Sequence, residues 1–326
     1  MNPNNENKVH IQKCSDLSYD VKSAMEAIDW KNIVHNGAKV AIKVNLCDSI
    51  PKRGVITTPE LVYEVIKILK DKGCEVTVVE SDGLLYSADA ACRETGMQKW
   101  IKKAGANFVN LTNDGKILVN PKNTLFVREY AMPKTLKEAD VLITMPVLKT
   151  HEITLYTGAL KNQFGCYPQH NKVMLHSHLD EAIVDINTIL NPDIVIMDAL
   201  TAIEGNGPTR GYPVKMDLLI TSNNPISCDL VALKIMGFDV EEVGHVKLAR
   251  DLNRNAENYI LTGEPIESVK REFKRPYDDL GNKAQKLILK HKILTKIFFD
   301  SPINRTVVRV GRIYRKWALK GKTEYF

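Results

Sequence analysis

The segment VLITMPVLKTHEITLYTGALKNQFG, residues 141–165, concentrates side chains that could do chemistry. Its apolar start is followed, within fourteen residues, by Lys149, His151, Lys161 and Asn162. Ammonium and imidazole groups at the end of a buried strand are costly unless they meet an anion, a carboxylate or a reacting substrate. The segment therefore predicts an anion-binding or acid–base site, without specifying the reaction.

Lys149 and His151 are one residue apart, so both side chains point the same way in an extended chain. A lysine desolvated beside other cations has a lowered pKa and can act as a base. We predict that this pair transfers protons, and the alternative is a solvated loop after a strand. We predict that Lys161 holds an anion and that Asn162 donates an amide hydrogen bond. The alternative for both residues is the C-terminal cap of a helix.

The strand KVAIKVN, residues 39–45, places another lysine inside the predicted sheet. In the alternation of a strand, Lys43 and Asn45 share one face with Ala41. A lysine in a covered sheet must reach the strand end or a partner. We predict that Lys43 and Asn45 bind substrate, and the alternative for Lys43 is a structural ion pair.

Two carboxylates follow a later strand. Asp198 stands at the end of the predicted strand DIVIMDA, and Glu204 lies in the predicted loop TAIEGNGPTRG, residues 201–211. Both are predicted to act as general acid or base, and the alternatives are pairing with the lysines or metal binding. The glycine spacing of the loop matches neither a Walker A loop nor GxGxxG. Flexible backbone can present N–H groups to an anion, which is the role expected of Gly205, Asn206 and Gly207.

Histidine and cysteine bear on metal chemistry. His176 and His178 could share one side of an extended loop and bind a divalent metal with a carboxylate from elsewhere, although no HExxH pattern accompanies them. The six cysteines are scattered with no CxxC or CxxxC pair, so no iron–sulfur cluster is expected. Dispersed cysteines in a chain of this length are typical of a reduced, cytoplasmic protein.

Strands alternate with helices along the chain. Such alternation predicts an α/β fold with a doubly wound, mainly parallel sheet and helices on both faces. The predicted strands are 39–45, 75–81, 106–111, 141–148, 193–199, 217–222 and 259–263. The predicted helices are 59–72, 88–103, about 155–162, 179–190, 225–238 and 244–252. Because such sheets bind ligands at the C-terminal ends of their strands, the polar residues named above are expected to converge there.

The C-terminal part of the chain is basic. From residue 270 onward there are 16 Lys and Arg against 5 Asp and Glu, so the overall charge of +6 belongs to this tail. A helix predicted over 304–319 has a basic stripe opposite an apolar face, the stripe being Arg305, Arg309, Arg312 and Lys316. This pattern is typical of a helix on an anionic membrane, and the alternative is a helix docked on the domain. Nucleic acid is the weakest interpretation, because no recognised motif accompanies the charge.

Composition limits the remaining classes. A hydrophobic fraction of 44% and a charged fraction of 26% are typical of a globular protein. The polar N-terminus MNPNNENK contains no signal-peptide pattern, and no apolar run approaches the roughly 20 residues that span a bilayer. We expect a cytoplasmic protein, with peripheral attachment at the inner face of the membrane as the alternative suggested by the tail.

Several motifs, in order, resemble the domain-of-unknown-function 362 family over about residues 38–255. They are KVNL (43–46), GVITTPELVYEVIKILKDKG (54–73), LKTH…TGALKNQFG (148–165), HSHLDEAIVDI (176–186), MDALTAIEGNGPTRG (197–211) and SCDLVALKIMGF (227–238). The resemblance implies a site histidine, best matched by His176, and a site Asp at Asp229, which from the sequence alone would stabilise a helix dipole. Many relatives carry a ferredoxin-like module with two iron–sulfur clusters, and this chain has no cysteine pattern for it.

We therefore predict an α/β core domain over residues 1–265 and a basic helical extension over 266–326. The leading interpretation is an enzyme that acts on a small anionic metabolite, such as a carboxylate, phosphate or nucleotide sugar, by Lys/His acid–base chemistry. Isomerisation or epimerisation fits these groups best, since no nucleophile elbow or redox motif is present. One alternative is a non-catalytic ligand-binding or membrane-recruited protein. The other is a metal-dependent enzyme that uses His176, His178 and carboxylates.

Overall fold

The computed structural model describes residues 6–83, 86–169, 172–278, 283, 286–289 and 291–299. Its strands are β1 (Asn7–Lys13), β2 (Lys39–Val44), β3 (Glu75–Glu80), β4 (Asn107–Asn110), β5 (Lys116–Val119), β6 (Tyr130–Pro133), β7 (Val141–Met145), β8 (Val147–His151), β9 (Leu155–Thr157), β10 (Ile194–Glu204), β11 (Tyr212–Ser222) and β12 (Tyr259–Gly263). Its helices are α1 (Leu17–Glu26), α2 (Trp30–Ile33), α3 (Pro59–Asp71), α4 (Ala88–Glu94), α5 (Met97–Lys103), α6 (Lys134–Glu138), α7 (Ala159–Asn162), α8 (Leu179–Leu190), α9 (Pro225–Met236), α10 (Gly244–Leu252), α11 (Ile266–Val269) and α12 (Lys292–Phe299).

One large sheet organises the molecule, with strand order β12-β1-β11-β10-β7-β2-β3-β4. The run from β10 through β7, β2 and β3 to β4 is parallel, whereas β11 is antiparallel to both β10 and β1. Strand β8 continues past the end of β7 and pairs with β10 and β9. The predicted α/β fold with a mainly parallel sheet is confirmed.

Two apolar clusters cover the two faces of the sheet. On one face α1, α3, α4 and α5 pack on side chains such as Ile42, Ile143 and Ile196. On the other face α7, α8, α9 and α10 pack on side chains such as Val195 and Met197. Successive residues of β10 thus enter opposite clusters, as the period of two in a strand requires. The helices lie on both faces, as predicted.

Several predicted elements differ in their bounds. Pro146 interrupts the strand predicted over 141–148, because proline cannot donate to a sheet ladder, and β7 and β8 result. The helix predicted over 88–103 is two helices separated at Gly96, which adopts φ +80°. The helix predicted around 155–162 was wrong in its first half, since Leu155–Thr157 is strand β9, paired with β8. Strand β1 and helix α1 have no counterpart among the predicted elements.

Strand β10 is longer than predicted and changes the setting of two site residues. It continues from Ile194 to Glu204, opposite Tyr212–Ser222 of β11. Asp198 therefore lies inside a strand and not at its end, and residues 201–204 are strand and not loop. Pairing with β11 stabilises the extension. A contact between two separate segments of the chain cannot be predicted from a local sequence pattern.

Residues beyond 265 contact the sheet domain. Phe273 is buried in the cluster beneath α9, and the backbone N–H of Tyr277 donates to Asn206 Oδ1 at 2.8 Å. The domain division at residue 265 stays a prediction. The helix predicted over 304–319 lies outside the described residues.

Candidate functional site

Four predicted site residues meet where β2 and β8 end. Asn162 of α7 donates from Nδ2 to Lys43 O at 3.2 Å, and its Oδ1 accepts from Asn45 Nδ2 at 3.3 Å. Asn45 Oδ1 in turn accepts from Lys149 Nζ at 2.7 Å. Carboxyl ends of parallel strands lie at one edge of a sheet, which is why residues more than a hundred positions apart converge here.

Lys43 forms an ion pair that the sequence offered only as an alternative. Its Nζ lies 2.9 Å from Glu80 Oε2, and the two side chains are 1% and 5% exposed. Glu80 also accepts from the N–H of Leu46 at 3.2 Å and of Ser81 at 2.9 Å. These donors compensate the desolvation of the Glu80 carboxylate, and Val44 O, which accepts from Lys43 Nζ at 2.6 Å, compensates that of the ammonium. A Cβ at Gly165 would lie 2.4 Å from Glu80 Oε1, so glycine is required there.

Lys149 is fully buried, and all its hydrogen-bond acceptors among the described residues are neutral. Its Nζ donates to Asn45 Oδ1 at 2.7 Å, to Val55 O at 2.7 Å and to Cys47 Sγ at 3.3 Å. These contacts hold the ammonium without cancelling its charge. A positive charge therefore remains beneath the end of β8.

Among these lysines, Lys161 has the fewest partners for its ammonium. It is partly exposed, and no hydrogen bond or ion pair joins its ammonium to any described residue. Burial, and then the charge of Lys149, lower its pKa to about 8. Lys161 thus combines partial exposure with strong desolvation, a combination typical of residues that meet a ligand.

His151 is neutral and has a defined proton position. Burial, and then the charge of Lys161, hold its pKa well below the usual range. Its Nδ1 accepts from the backbone N–H of Ile153 at 3.0 Å. In the neutral ring the proton therefore resides on Nε2, which makes that nitrogen a hydrogen-bond donor.

His176 has the opposite arrangement of ring nitrogens. Its Nδ1 donates to Val173 O at 3.0 Å, which leaves Nε2 as the acceptor in the neutral ring. Burial, and then the charge of Lys161, lower its pKa to about 4. The ring packs edge-on against Phe164 with centroids 5.6 Å apart. Lys161, a residue of α7, thus lowers the pKa of both His151 and His176.

Lys172 lies beside this group and was not predicted. Its Nζ donates to Ser81 Oγ at 2.8 Å, and burial lowers its pKa to about 8. The signal was present in the sequence as a lysine four residues before His176. Glu80 was also missed, although a carboxylate at the end of β3 is the expected partner for a lysine buried in the neighbouring β2.

The predicted carboxylates have structural partners. Asp198 accepts from the N–H of Thr58 at 2.7 Å and so holds the start of α3; burial raises its pKa. Asp229 accepts from the N–H of Ala159 at 2.7 Å and of Leu160 at 3.0 Å, and so holds the start of α7; burial raises its pKa as well.

Glu204 and the glycine loop face the C-terminal segment. Glu204 accepts from the N–H of Lys274 at 3.2 Å, and Gly205 N donates to Lys274 O at 2.8 Å. Asn206 accepts from Tyr277, as noted above. Gly207 lies against β8, where a Cβ would come within 2.0 Å of Thr150 O. The contacts of this loop join strand β8 to residues 274–277.

The two histidines offered as metal ligands differ in setting. His178 is stacked on Phe126 with centroids 4.4 Å apart, and its Nδ1 lies 3.8 Å from Glu181 Oε1. Within the described part of the chain, no three His, Cys, Asp or Glu side chains are arranged to hold a metal ion. The metal interpretation stays a prediction. Among the same residues, no helix has the length and apolarity to cross a bilayer.

Comparison with known proteins identifies relatives. The thylakoid-associated protein sll1697 of Synechocystis sp. (strain ATCC 27184 / PCC 6803 / Kazusa) is 28% identical over 256 residues, which are 75% of this chain and 78% of that protein. The lactate racemase apoprotein from Thermoanaerobacterium thermosaccharolyticum is 16% identical with a TM-score of 0.43, over 69% of this chain and 56% of that one. The model of the family described as domain of unknown function (DUF362) matches residues 40–234, so the chain belongs to this family.

Proposed function

We propose that the protein is an enzyme that acts on a small anionic metabolite by Lys/His acid–base chemistry, as an isomerase or epimerase. One observation carries the proposal. Lys161 and Lys172 are partly exposed and strongly desolvated, and no carboxylate oxygen of the described residues lies within 4.0 Å of either ammonium. A bound carboxylate or phosphate would supply the missing negative charge.

The lysine pKa and the positions of the ring protons support different roles for Lys161, His151 and His176. Lys161 has a pKa of about 8, so it exchanges protons readily near neutral pH. His151 can donate from Nε2 to an oxygen that gains negative charge, and Lys149 adds a positive charge nearby. His176 can accept at Nε2. From the sequence, we predicted that Lys149 and His151 transfer protons. The structure leads us to propose Lys161 for proton transfer and His151 as the hydrogen-bond donor that stabilises the oxyanion.

The reaction step follows from these roles. With a pKa of about 8, a fraction of Lys161 is neutral near pH 7. In this form, while Lys149 and the Nε2–H of His151 hold the anionic group, its amine removes a proton from the carbon next to a carbonyl or carboxylate, and the C–H electron pair moves into an enolate. The Nε2–H of His151 and the charge of Lys149 stabilise the enolate oxygen. Delivery of a proton from water to the opposite face of the same carbon completes epimerisation, while the ammonium of Lys161 releases the abstracted proton to solvent, so that atoms and charge balance without an oxidant.

Proton exchange in D₂O tests the proposal. The protein is incubated with hydroxycarboxylates, sugar phosphates and nucleotide sugars, and loss of a C–H signal is followed by ¹H NMR. We expect exchange with at least one compound, and loss of exchange by at least about 100-fold both in Lys161→Met, which lacks the proposed base, and in His151→Phe, which lacks the Nε2–H donor. His35→Phe, at an exposed histidine, is the control. Binding without exchange of any compound would support the non-catalytic alternative.

A second candidate is peripheral membrane association through residues 304–319. The relative of 28% identity bears the name thylakoid-associated protein, which supports this candidate. The basic stripe of the predicted helix would contact anionic lipid head groups. Co-sedimentation with vesicles of anionic and of neutral lipid tests it, and equal sedimentation with both would contradict it.

A further inference from the structure

Strand β5 is exposed on both of its faces and along one edge. It pairs with β6 in a two-stranded sheet that is separate from the large sheet, and among the described residues no strand pairs with its other edge. Ile117 and Leu118 are neighbours in the strand and so point to opposite faces, where they are 48% and 60% exposed. A strand edge with outward N–H and C=O groups and exposed apolar side chains is a place where a further strand can pair.

The loop after β5 presents a third exposed apolar side chain. Leu125 is 41% exposed, although its backbone N–H donates to Asp185 Oδ1 at 2.7 Å. Asp185 is a buried residue of α8, and it also accepts from the N–H groups of Phe126 and Val127, both at 2.7 Å. These bonds fix the backbone of the loop and so hold Leu125 at the surface.

The stretch that contains these apolar side chains is basic. Residues 115–128 include three cations and no Asp or Glu, the cations being Lys116, Lys122 and Arg128. All three are exposed, and no carboxylate oxygen of the described residues lies within 4.0 Å of any of their charged groups. Of the flanking carboxylates, Asp114 accepts from the N–H groups of Gly115 and Thr135, both at 2.8 Å, and Glu129 is exposed. Three cations without a counter-ion thus surround the exposed strand.

We propose that β5 is the docking site for an extended acidic segment of another protein, which pairs with the outer edge of β5 as a third strand. Apolar side chains of the partner would pack on the three exposed apolar side chains, and its carboxylates would meet the three cations. The same strand of a second copy would bring like charges together, and the part of this chain from residue 270 onward is itself basic, so neither is complementary in charge. The hydrocarbon of a bilayer would leave the backbone groups of the strand edge without hydrogen bonds, whereas an added strand supplies them.

Designed peptides test the proposal. The probes are a short peptide of alternating glutamate and valine, its counterpart of lysine and valine, and an acidic version with a central proline, which cannot pair as a regular strand. Fluorescence anisotropy of the labelled peptides with the full-length protein measures affinity. We expect the acidic peptide to bind at least about 10-fold more tightly than either of the other two. Hydrogen exchange followed by mass spectrometry should show that this peptide protects the amides of residues 116–119.

Two double variants test the charge contribution. Lys116→Glu/Lys122→Glu should abolish the preference for the acidic peptide, because like charges then face each other. Lys99→Glu/Lys102→Glu, at exposed lysines of α5, changes the net charge equally and should keep the preference. Equal losses in the two variants would show that the peptide responds only to overall charge, which would overturn the proposal.

Ile117→Thr/Leu118→Thr tests the apolar contribution. Threonine keeps the propensity for a strand, so circular dichroism should show a retained fold, while the affinity for the acidic peptide should fall at least about 5-fold. Weaker sedimentation of this variant with anionic vesicles, with unchanged peptide binding, would assign the surface to a membrane. A dimer of the wild type that this variant dissociates would assign it to a second copy of the chain. Either result, or protection from exchange only outside residues 116–119, would overturn the proposal.

Discussion

At the residue scale, the fold desolvates Lys161 without supplying a carboxylate. Burial without a partner lowers the pKa of a lysine because the charged form loses hydration. The same burial costs stability, since the unfolded chain holds its proton more tightly. Natural structures keep such unfavourable groups mainly where they act on a ligand. The cost at Lys161 is therefore a measurable signature of the site.

Replacement of Lys161 should stabilise the ligand-free protein. Its pKa falls from 10.5 to about 8 on folding, so between these values the unfolded state binds more protons and stability rises with pH. The penalty is fully present below pH 8 and disappears above pH 10.5. We expect Lys161→Met to be more stable by about 2 kcal/mol at pH 7, after allowance for partial exposure, with a smaller gain at pH 10. Urea unfolding at both pH values measures this, and a gain independent of pH would contradict it.

Breaking the Lys43–Glu80 ion pair should lower stability, whereas replacement of Lys161 should raise it. Glu80→Gln leaves a buried ammonium without its carboxylate, so we expect a loss of about 3–5 kcal/mol in the free energy of unfolding. The double variant Lys43→Met/Glu80→Gln removes the unpaired charge and should recover at least half of that loss. A double-mutant cycle from urea unfolding provides the coupling energy, and additive single effects would show that the pair contributes nothing.

At the element scale, two buried carboxylates hold the starts of helices α3 and α7. Asp198 accepts from Thr58 at the start of α3, and Asp229 accepts from Ala159 and Leu160 at the start of α7. Short helices such as α7 are unstable alone, so their orientation depends on such contacts. Because α7 carries Lys161, Asp229 is a positioning residue for the proposed site.

Asp229→Asn should therefore alter both stability and binding. The amide keeps one acceptor oxygen in place of two, so buried donors, including the Tyr156 hydroxyl at 2.8 Å, lose partners at a cost of about 2–4 kcal/mol. We expect acetate affinity, measured by calorimetry, to fall as well. Asp185→Asn is the matched control, because Asp185 is also buried and accepts from the N–H of Leu125, Phe126 and Val127, all at 2.7 Å. It should lose stability and keep acetate affinity; equal losses of affinity would contradict the positioning role.

At the scale of the whole molecule, residues 271–277 connect the basic tail to the sheet. Glu204 is buried, and Arg271 and Lys274 place cationic groups 3.9 and 3.6 Å from its carboxylate. Phe273 fills an apolar pocket of the core. This segment therefore stabilises the end of β10, whatever the role of the residues that follow it.

Two truncations separate stability from membrane attachment. Truncation after residue 265 exposes the Phe273 pocket and leaves Glu204 without its partners, so we expect a loss of at least about 3 kcal/mol in urea unfolding. Truncation after residue 299 keeps α12, which contacts the segment Lys172–His178, and should keep the stability of the core and abolish sedimentation with anionic vesicles. Retained sedimentation of the chain truncated after residue 299 would place any membrane contact in the residues that remain.

The sequence by itself determined the α/β fold, the family and the residue types gathered at the strand ends. These follow from signals within short windows, namely apolar runs, alternation, and polar residues where the runs stop. Only the tertiary structure decided which buried polar and charged groups have a hydrogen-bond or ion-pair partner. Lys43 meets Glu80 across 37 residues and Asp198 meets Thr58 across 140, whereas Lys161 meets no carboxylate among the described residues. Hydrogen bonds and ion pairs depend on separations of about 3 Å, and for residues so far apart in the chain, strand order and helix packing set those separations.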